Sequence, residues 1–154
     1  MSPRAGCRLE GLGFTDVYDY AAGKVDWLAH NLPTDGTVAD TPTAGSRLRT
    51  DVVTAALHER IADIRARVQS SRYRFALVVA ADRTLLGRLR GAALNGDPDL
   101  TAEQAMENGP STIRPHTPLD EIGTLLRDKN LTTSLVTDPE GRLLGLLHRD
   151  DLSF

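Results

Sequence analysis

The sequence predicts an α/β fold that contains two copies of one small unit, in the order strand, helix, strand, strand, helix (β-α-β-β-α). The first observation is an internal repeat: residues 75–79 and 85–89 recur as residues 133–137 and 143–147, at the constant offset of 58 that separates Gly87 from Gly145. The second is that both copies change from helical to strand periodicity at the same place. One such unit leaves part of its apolar surface uncovered, so we expect the two copies to pair around a pseudo-twofold axis.

The elements follow from the residue pattern of each copy. Short extended pieces at residues 50–53 and 112–114 precede helices whose apolar residues recur at intervals of three and four. These are Leu57, Ile61, Ile64 and Val68 in the first copy, and Leu119, Ile122, Leu125 and Leu126 in the second. Thr117 and Pro118 predict the start of the second helix, because Thr caps helices and Pro suits their first turn. A turn then joins two strands, and a short helix or turn ends each copy.

A stretch rich in Pro and Gly divides the chain between Leu32 and Ser46. We expect an N-terminal segment at residues 1–36, a linker at 37–46, a first copy at 47–108 and a second at 109–154. The N-terminal segment is too short to bury a core by itself. Its pattern predicts a helix over residues 4–12, a strand over 17–20 and a helix over 23–30, an α/β remnant.

Composition excludes several classes of function. With 154 residues and a net charge of -3, the chain lacks the positive field that non-specific nucleic-acid binding needs. No apolar run predicts a membrane span. A single cysteine, Cys7, cannot form an intramolecular disulfide or a structural zinc site, which favours a reducing compartment and predicts a cytoplasmic location. The four histidines have no metal-ligand spacing, so we expect no metal site.

Residues 143–152, Leu-Leu-Gly-Leu-Leu-His-Arg-Asp-Asp-Leu, resemble the end of a CBS (cystathionine-beta-synthase-type) domain, as does the preceding run Thr-Ile-Arg-Pro-His-Thr-Pro-Leu-Asp-Glu-Ile at 112–122. With the repeat, residues 47–154 resemble a tandem CBS pair. The resemblance implies a regulatory module without catalysis of its own, which binds an adenosine-containing ligand such as AMP, ATP or S-adenosylmethionine between the copies. It also leads us to expect a homodimer formed through the helices of the two lobes.

The resemblance also implies the site residues. The family's nucleotide-binding copies use a Thr before the first helix, a polar stretch opening the second strand and an Asp six residues after the strand glycine. Here these are Thr117, the stretch Leu131, Thr132 and Thr133, and Asp151. A carboxylate can accept hydrogen bonds from both ribose hydroxyls. The first copy has Ala93 where Asp151 stands in the second, so we expect it to be degenerate and the chain to have at most one site.

Two features of the second copy bear on the choice of ligand. His148 stands where the family often has Ser or Thr, and Asp150 adjoins Asp151. Adjacent carboxylates repel phosphates, so adenosine or a cationic derivative should be accepted more easily than ATP. The alternative is structural: both aspartates solvate the last turn, Thr117 only caps a helix, and the pair serves as an interaction or dimerisation module without a ligand.

Residues 2–14, together with Val-Tyr-Asp-Tyr at 17–20 and Gly-Lys-Val-Asp-Trp-Leu at 23–28, resemble the last third of a rhodanese-type sulfurtransferase domain. In that family the catalytic cysteine precedes the arginine that matches Arg4, at a position upstream of Met1. Cys7 lies inside the following helix, where we expect a structural residue. A third hypothesis is therefore a fragment of a rhodanese–CBS fusion whose catalytic cysteine lies upstream, and a fourth is a CBS protein with a vestigial tail.

Overall fold

The computed structural model describes residues 3–36 and 40–152, so residues 37–39 of the predicted linker and the last two of the second copy lie outside the described residues. The strands are β1 Val53–Ala55, β2 Phe75–Val79, β3 Leu85–Arg90, β4 Glu107–Asn108, β5 Thr112–Ile113, β6 Thr133–Thr137 and β7 Leu143–His148. The helices are α1 Pro3–Gly11, α2 Gly23–Ala29, α3 Ile61–Gln69, α4 Ala92–Asn95, α5 Ala102–Ala105 and α6 Leu119–Asp128, with 3₁₀ turns at Ala44–Arg47 and Arg149–Asp151.

Two sheets define two lobes. The first lobe contains the sheet β1-β2-β3-β4 with α3, α4 and α5, and the second contains the sheet β5-β6-β7 with α6. In each sheet the first strand is parallel to the second, and the second is antiparallel to the third. Val78 pairs with Gly87 and Val136 pairs with Gly145, and both hairpins shift register at the next residue. The predicted α/β repeat and its offset of 58 are therefore confirmed down to the strand register.

A pseudo-twofold axis passes between the two β-turns. Thr84 and Arg142, which are equivalent under the offset of 58, form an antiparallel bridge with each other. The Leu85 amide donates to the Gly141 carbonyl at 2.9 Å, and the Leu143 amide donates to the Arg83 carbonyl at 2.9 Å. Each of these bonds is the image of the other under the offset, so the two copies face each other symmetrically.

The segment that precedes each copy packs on the opposite lobe. We call residues 42–49 the first arm and residues 100–107 the second arm. Arg49 of the first arm bridges Leu146 in β7, and Glu107 of the second arm pairs with Arg88 in β3. The repeat thus extends further towards the N-terminus than the aligned sequence indicated, and the two arms are exchanged between the lobes.

The strand glycines make this exchange sterically feasible. A Cβ atom added at Gly145 would lie 2.6 Å from the Arg49 carbonyl oxygen. A Cβ atom at Gly87 would lie 2.4 Å from Met106 Sδ and 3.0 Å from the Glu107 carbonyl oxygen. Real Cβ contacts are not this short, so each arm can approach its strand only where the strand has no side chain.

Side chains alternate between the two faces of each strand, and the buried apolar residues form three cores. Within β2, Ala76 and Val78 pack against α3 in the first lobe, whereas Leu77 faces the other lobe. The core between the lobes comprises Tyr73, Leu77, Leu135, Leu143 and Leu146, and the core of the second lobe includes Ala44 from the first arm. The interface between the copies is therefore a dry apolar layer continuous with both sheets.

Several local predictions differ from the structure. The residues 17–20 do not form a strand, because the described chain offers them no neighbouring strand with which to pair their backbone groups. The helix cap before α6 is Pro118, with no side-chain bond, so the capping role predicted for Thr117 is wrong. Leu57 precedes α3 rather than lying on it, because that helix begins at Ile61. The first and second N-terminal helices form as predicted, as α1 and α2.

Candidate functional site

Asp151 lies on the 3₁₀ turn that follows β7, beside a cavity of about 410 Å³. The walls come from the first arm and its approach, the start of α6 and the turn itself: Thr41, Pro42, Arg47, Leu119, Asp120, Asp151 and Leu152. The volume lies within the range of small-molecule sites. The predicted acidic residue therefore faces a concave space that only the exchanged arm completes.

Arg49 occupies one oxygen of the Asp151 carboxylate. Its guanidinium Nη2 donates to Asp151 Oδ1 in an ion pair, and its Nη1 donates to the Tyr73 hydroxyl at 3.4 Å. The side chains of Arg49 and Asp151 are only 20% and 23% exposed. The other carboxylate oxygen, Oδ2, is buried and has no hydrogen-bond partner within the described chain. One acceptor is thus engaged by Arg49, while the other is enclosed by the protein, with the His148 backbone close enough to the carboxylate to help lower its pKa.

The ion pair fixes the charge of both groups. Hydrogen bonding from Arg49, which outweighs partial burial, holds the pKa of Asp151 below its ordinary value. The same contact raises the pKa of Arg49. Asp151 is therefore a carboxylate at neutral pH, in the form that accepts donors from sugar hydroxyls.

The polar stretch predicted at the start of β6 is adjacent to this turn. Thr133 pairs with His148 across the hairpin, and the Thr132 carbonyl accepts a bond from the Arg149 amide at 2.8 Å. Leu131 is 42% exposed, and its amide donates to the Leu126 carbonyl at 2.8 Å. These residues are brought next to the segment that carries Asp151, although they are not among those that line its cavity.

Thr117 lies at the opposite side of the site, before α6. Its carbonyl oxygen accepts a bond from the Ala44 amide at 2.9 Å, which attaches the first arm to the entrance of the helix. Leu119, two residues further along, is the residue of this segment that lines the Asp151 cavity. Of the five predicted residues, only Asp151 borders the cavity.

A second, more polar cavity of about 640 Å³ adjoins the first and shares Thr41, Pro42 and Arg47 with it. Its far side is formed by the segment after α2, from Leu28 to Thr34. His116 also lines it, and the Nδ1 atom of that ring is buried without a hydrogen-bond partner in the described residues. The N-terminal segment therefore contributes a wall to the space beside the candidate site.

The equivalent position in the first lobe has a different set of charges. Ala93 replaces Asp151, Arg90 replaces His148, and Glu107 replaces Arg49. Glu107 accepts bonds from Arg90 Nε at 3.0 Å and Arg88 Nη2 at 3.2 Å, and these arginines lower its pKa. Each arm thus forms an ion pair with the lobe on which it packs, but the first lobe has no carboxylate at the position equivalent to Asp151.

Sequence reasoning missed Arg47, Arg49, Tyr73 and the approach to the first arm. A signal was present: Thr43 and Ala44 recur as Thr101 and Ala102 at the same offset of 58. Extending the repeat through these residues would have marked an arm in front of each copy. It would not have shown that the arms exchange lobes, since the pattern is the same for either packing.

Other types of site receive no support from the described residues. They contain no group of three or more His, Cys, Asp or Glu that could hold a metal ion. None of their helices is both long enough and apolar enough to cross a membrane. Cys7 is an exposed, free thiol on α1.

Residues 98–153 match the family model of the CBS domain. A CBS domain pair in complex with 5′-methylthioadenosine and S-adenosyl-L-methionine is similar, with a TM-score of 0.60 and 16% identity over 73% of this chain and 93% of that one. The fold is that of a CBS pair. The protein CBSX2 in complex with AMP is also similar, with a TM-score of 0.62 and 18% identity over 71% of this chain and 92% of that one.

The cytosolic domain of the Mg²⁺ channel MgtE in complex with ATP resembles this CBS pair with a TM-score of 0.64 and 24% identity, over 75% of this chain. This chain spans 50% of the length of that domain, so the likeness concerns the CBS pair and not the whole of it. A comparison with the curated proteins gave no match. The matches indicate no catalytic family, and they do not support the resemblance of the N-terminal segment to rhodanese.

Proposed function

We propose that the chain is a non-catalytic regulatory module that binds an adenosine-containing ligand in the cleft of the second lobe. In this proposal Asp151 binds the ribose, and Thr117 with the stretch from Leu131 to Thr133 supplies further contacts to the ligand from outside the cavity wall. The observation that carries the proposal is the position of Asp151: a charged carboxylate with one unpartnered oxygen, beside a cavity of about 410 Å³. The Asp151 side chain is 23% exposed, and an ionised carboxylate accepts hydrogen bonds from donors such as ribose hydroxyls.

Three structural neighbours were solved with ligands that share an adenosine group: ATP, AMP, and S-adenosyl-L-methionine with 5′-methylthioadenosine. Adenosine is therefore the common chemistry to test first. In this chain the cavity also carries Asp120 opposite Arg47. The mixed charge favours adenosine itself or a derivative with a positive group over a polyphosphate.

Isothermal titration calorimetry with adenosine, AMP, ATP and S-adenosylmethionine tests the proposal. We expect heat of binding with at least one of them, and a loss of about tenfold or more in affinity for Asp151→Asn, because a buried hydrogen bond to a charged group is removed. Asp150→Asn is the matched control. The Asp150 side chain is 72% exposed, and the substitution removes the same charge one residue earlier in the chain. No heat and no shift in melting temperature with any of the four ligands would overturn the proposal.

The second candidate function is an interaction or dimerisation module without a ligand. The N-terminal segment favours it, because Leu12, Phe14, Tyr18 and Val25 are between 59% and 80% exposed. A cluster of exposed apolar residues is typical of a surface that contacts another protein. Light scattering after size exclusion would measure whether the chain is a homodimer, and the ligand-free hypothesis requires that Asp151→Ala leaves that state unchanged.

The division into residues 1–36, 37–46, 47–108 and 109–154 and the cytoplasmic location remain proposals. So does the origin of the N-terminal segment in a rhodanese-type domain, which rests on the sequence pattern and on the two helices α1 and α2. Sulfur transfer by this chain is not proposed, because its one thiol is exposed on α1 and faces no cradle of amides.

A further inference from the structure

We infer that Arg49 is an internal competitor for the ligand: its guanidinium binds the carboxylate that ribose hydroxyls would use, so ligand affinity is set by how easily this side chain is displaced. The inference rests on the proposed function of Asp151 and concerns a residue to which the family resemblance assigned no role. It makes Arg49 the residue that sets the affinity of the second-lobe cleft.

The first step is geometric. Arg49 comes from the first arm, 102 positions before Asp151 in the chain, and reaches the carboxylate because the arm is exchanged onto the second lobe. A carboxylate binds ribose best when both of its oxygens are available to the two hydroxyls. With Oδ1 engaged by Arg49, only Oδ2 is free of a partner within the described residues. A ribose hydroxyl directed at Oδ1 therefore meets a guanidinium that already donates to that oxygen, and we infer that the two donors compete for it.

The second step is that the side chain can leave while the arm stays. The Arg49 amide donates to the Leu146 carbonyl at 2.9 Å, and the Leu146 amide donates to the Arg49 carbonyl at 2.9 Å. These two backbone bonds hold the arm against β7 whatever the side chain does. Displacement of the guanidinium therefore needs a rotamer change and no unfolding of the arm, so it can accompany ligand binding.

The third step is the comparison with the first lobe. There Glu107 takes the place of Arg49, and it pairs with Arg90 and Arg88 from the strand that it contacts. Because Ala93 stands where Asp151 would be, this ion pair competes with no ligand. The chain thus supplies a control: neutralising Glu107 removes more exposed ion pairs between arm and strand without touching the proposed site.

Calorimetry with adenosine, which is uncharged, on the full chain tests the inference. We expect Arg49→Gln to bind adenosine about five- to tenfold more tightly than the wild type, which is the effect expected for removing a half-buried ion pair. Glu107→Gln should bind like the wild type.

Each outcome decides the matter. Equal affinity of Arg49→Gln and the wild type, or weaker binding by the variant, overturns the role of Arg49 and leaves the proposed function standing. If Arg49→Gln binds adenosine and the wild type does not, the result supports both the proposed function and the role of Arg49. If neither protein binds adenosine, the inference about Arg49 is overturned, and the proposed function falls with it only when AMP, ATP and S-adenosylmethionine also give no heat. If Arg49→Gln fails to fold, as its circular dichroism would reveal, Arg49→Met decides by the same comparison, and binding no tighter than that of the wild type overturns the inference.

Discussion

Replacing Gly145 by alanine should destabilise the protein by separating the first arm from the second lobe. The added methyl group would lie 2.6 Å from the Arg49 carbonyl oxygen and 3.5 Å from Leu48 Cβ. The nearest atom belongs to the backbone, which cannot rotate away. The arm must therefore move as a unit, and it takes with it the two backbone bonds between Arg49 and Leu146.

The magnitude follows from these contacts. Overpacking of a well-packed site costs about 1–3 kcal/mol. Weakening two backbone hydrogen bonds adds about 1 kcal/mol. We expect a loss of about 2–4 kcal/mol in the free energy of unfolding for Gly145→Ala. For a chain of this size, that corresponds to a decrease of roughly 5–15 °C in melting temperature.

The assay is urea unfolding followed by circular dichroism, with two further variants. Gly87→Ala, at the equivalent position, should cost less, about 1 kcal/mol, because its closest contact is the flexible Met106 side chain. Gly11→Ala, which meets no atom within 4 Å, should be neutral or slightly stabilising in α1. A Gly145 variant as stable as the wild type, or a larger loss at Gly87 than at Gly145, would refute the steric reasoning.

Three further outcomes are expected. Gly141→Ala should cost about 1 kcal/mol in urea unfolding, because Gly141 has φ 82° in the turn on the pseudo-twofold axis. The stability difference between the wild type and Asp151→Asn should be full above about pH 5 and vanish towards pH 2, since a carboxylate whose folded pKa is lowered loses its contribution as the pH falls through that value; a difference that persists in acid would contradict it. A hydrogen bond to the Asp26 carbonyl raises the pKa of His30, and the charges of Asp26 and Glu140 add to this effect. The pKa of His30 measured by NMR titration should therefore be lower in Glu140→Gln than in the wild type. The contribution of His30 to stability should be complete below about pH 6.5 and lost as the pH rises through the raised pKa.

Local patterns of the sequence predicted the parts of the fold that depend on local physics. The spacing of Ile61, Ile64 and Val68 determines which face of α3 is buried, and all three are buried in the structure. The same holds for Ile122 and Leu126 on α6. The predicted strand at residues 17–20 failed for the complementary reason: a strand needs a partner for its backbone groups, and no residue of the strand itself supplies one.

The candidate site was predicted in part. Asp151 and its neighbours in the hairpin could be found because the glycine, the strand and the turn are contiguous in the chain. Arg49 and Tyr73 could not, since they reach the site from other elements. The ion pair of Arg49 with Asp151 and the contact with Tyr73 are consequences of chain crossing and not of local periodicity.

The amino-acid order alone thus determined that the chain contains one β-α-β-β-α unit twice, with a shared register and with an aspartate six residues after the strand glycine in the second copy only. Only the tertiary structure decided that each arm crosses to the other lobe, because a repeat is compatible with either packing. That crossing depends on a close approach at Gly87 and Gly145, and it is what brings a positive side chain to the carboxylate and closes the cavity beside it.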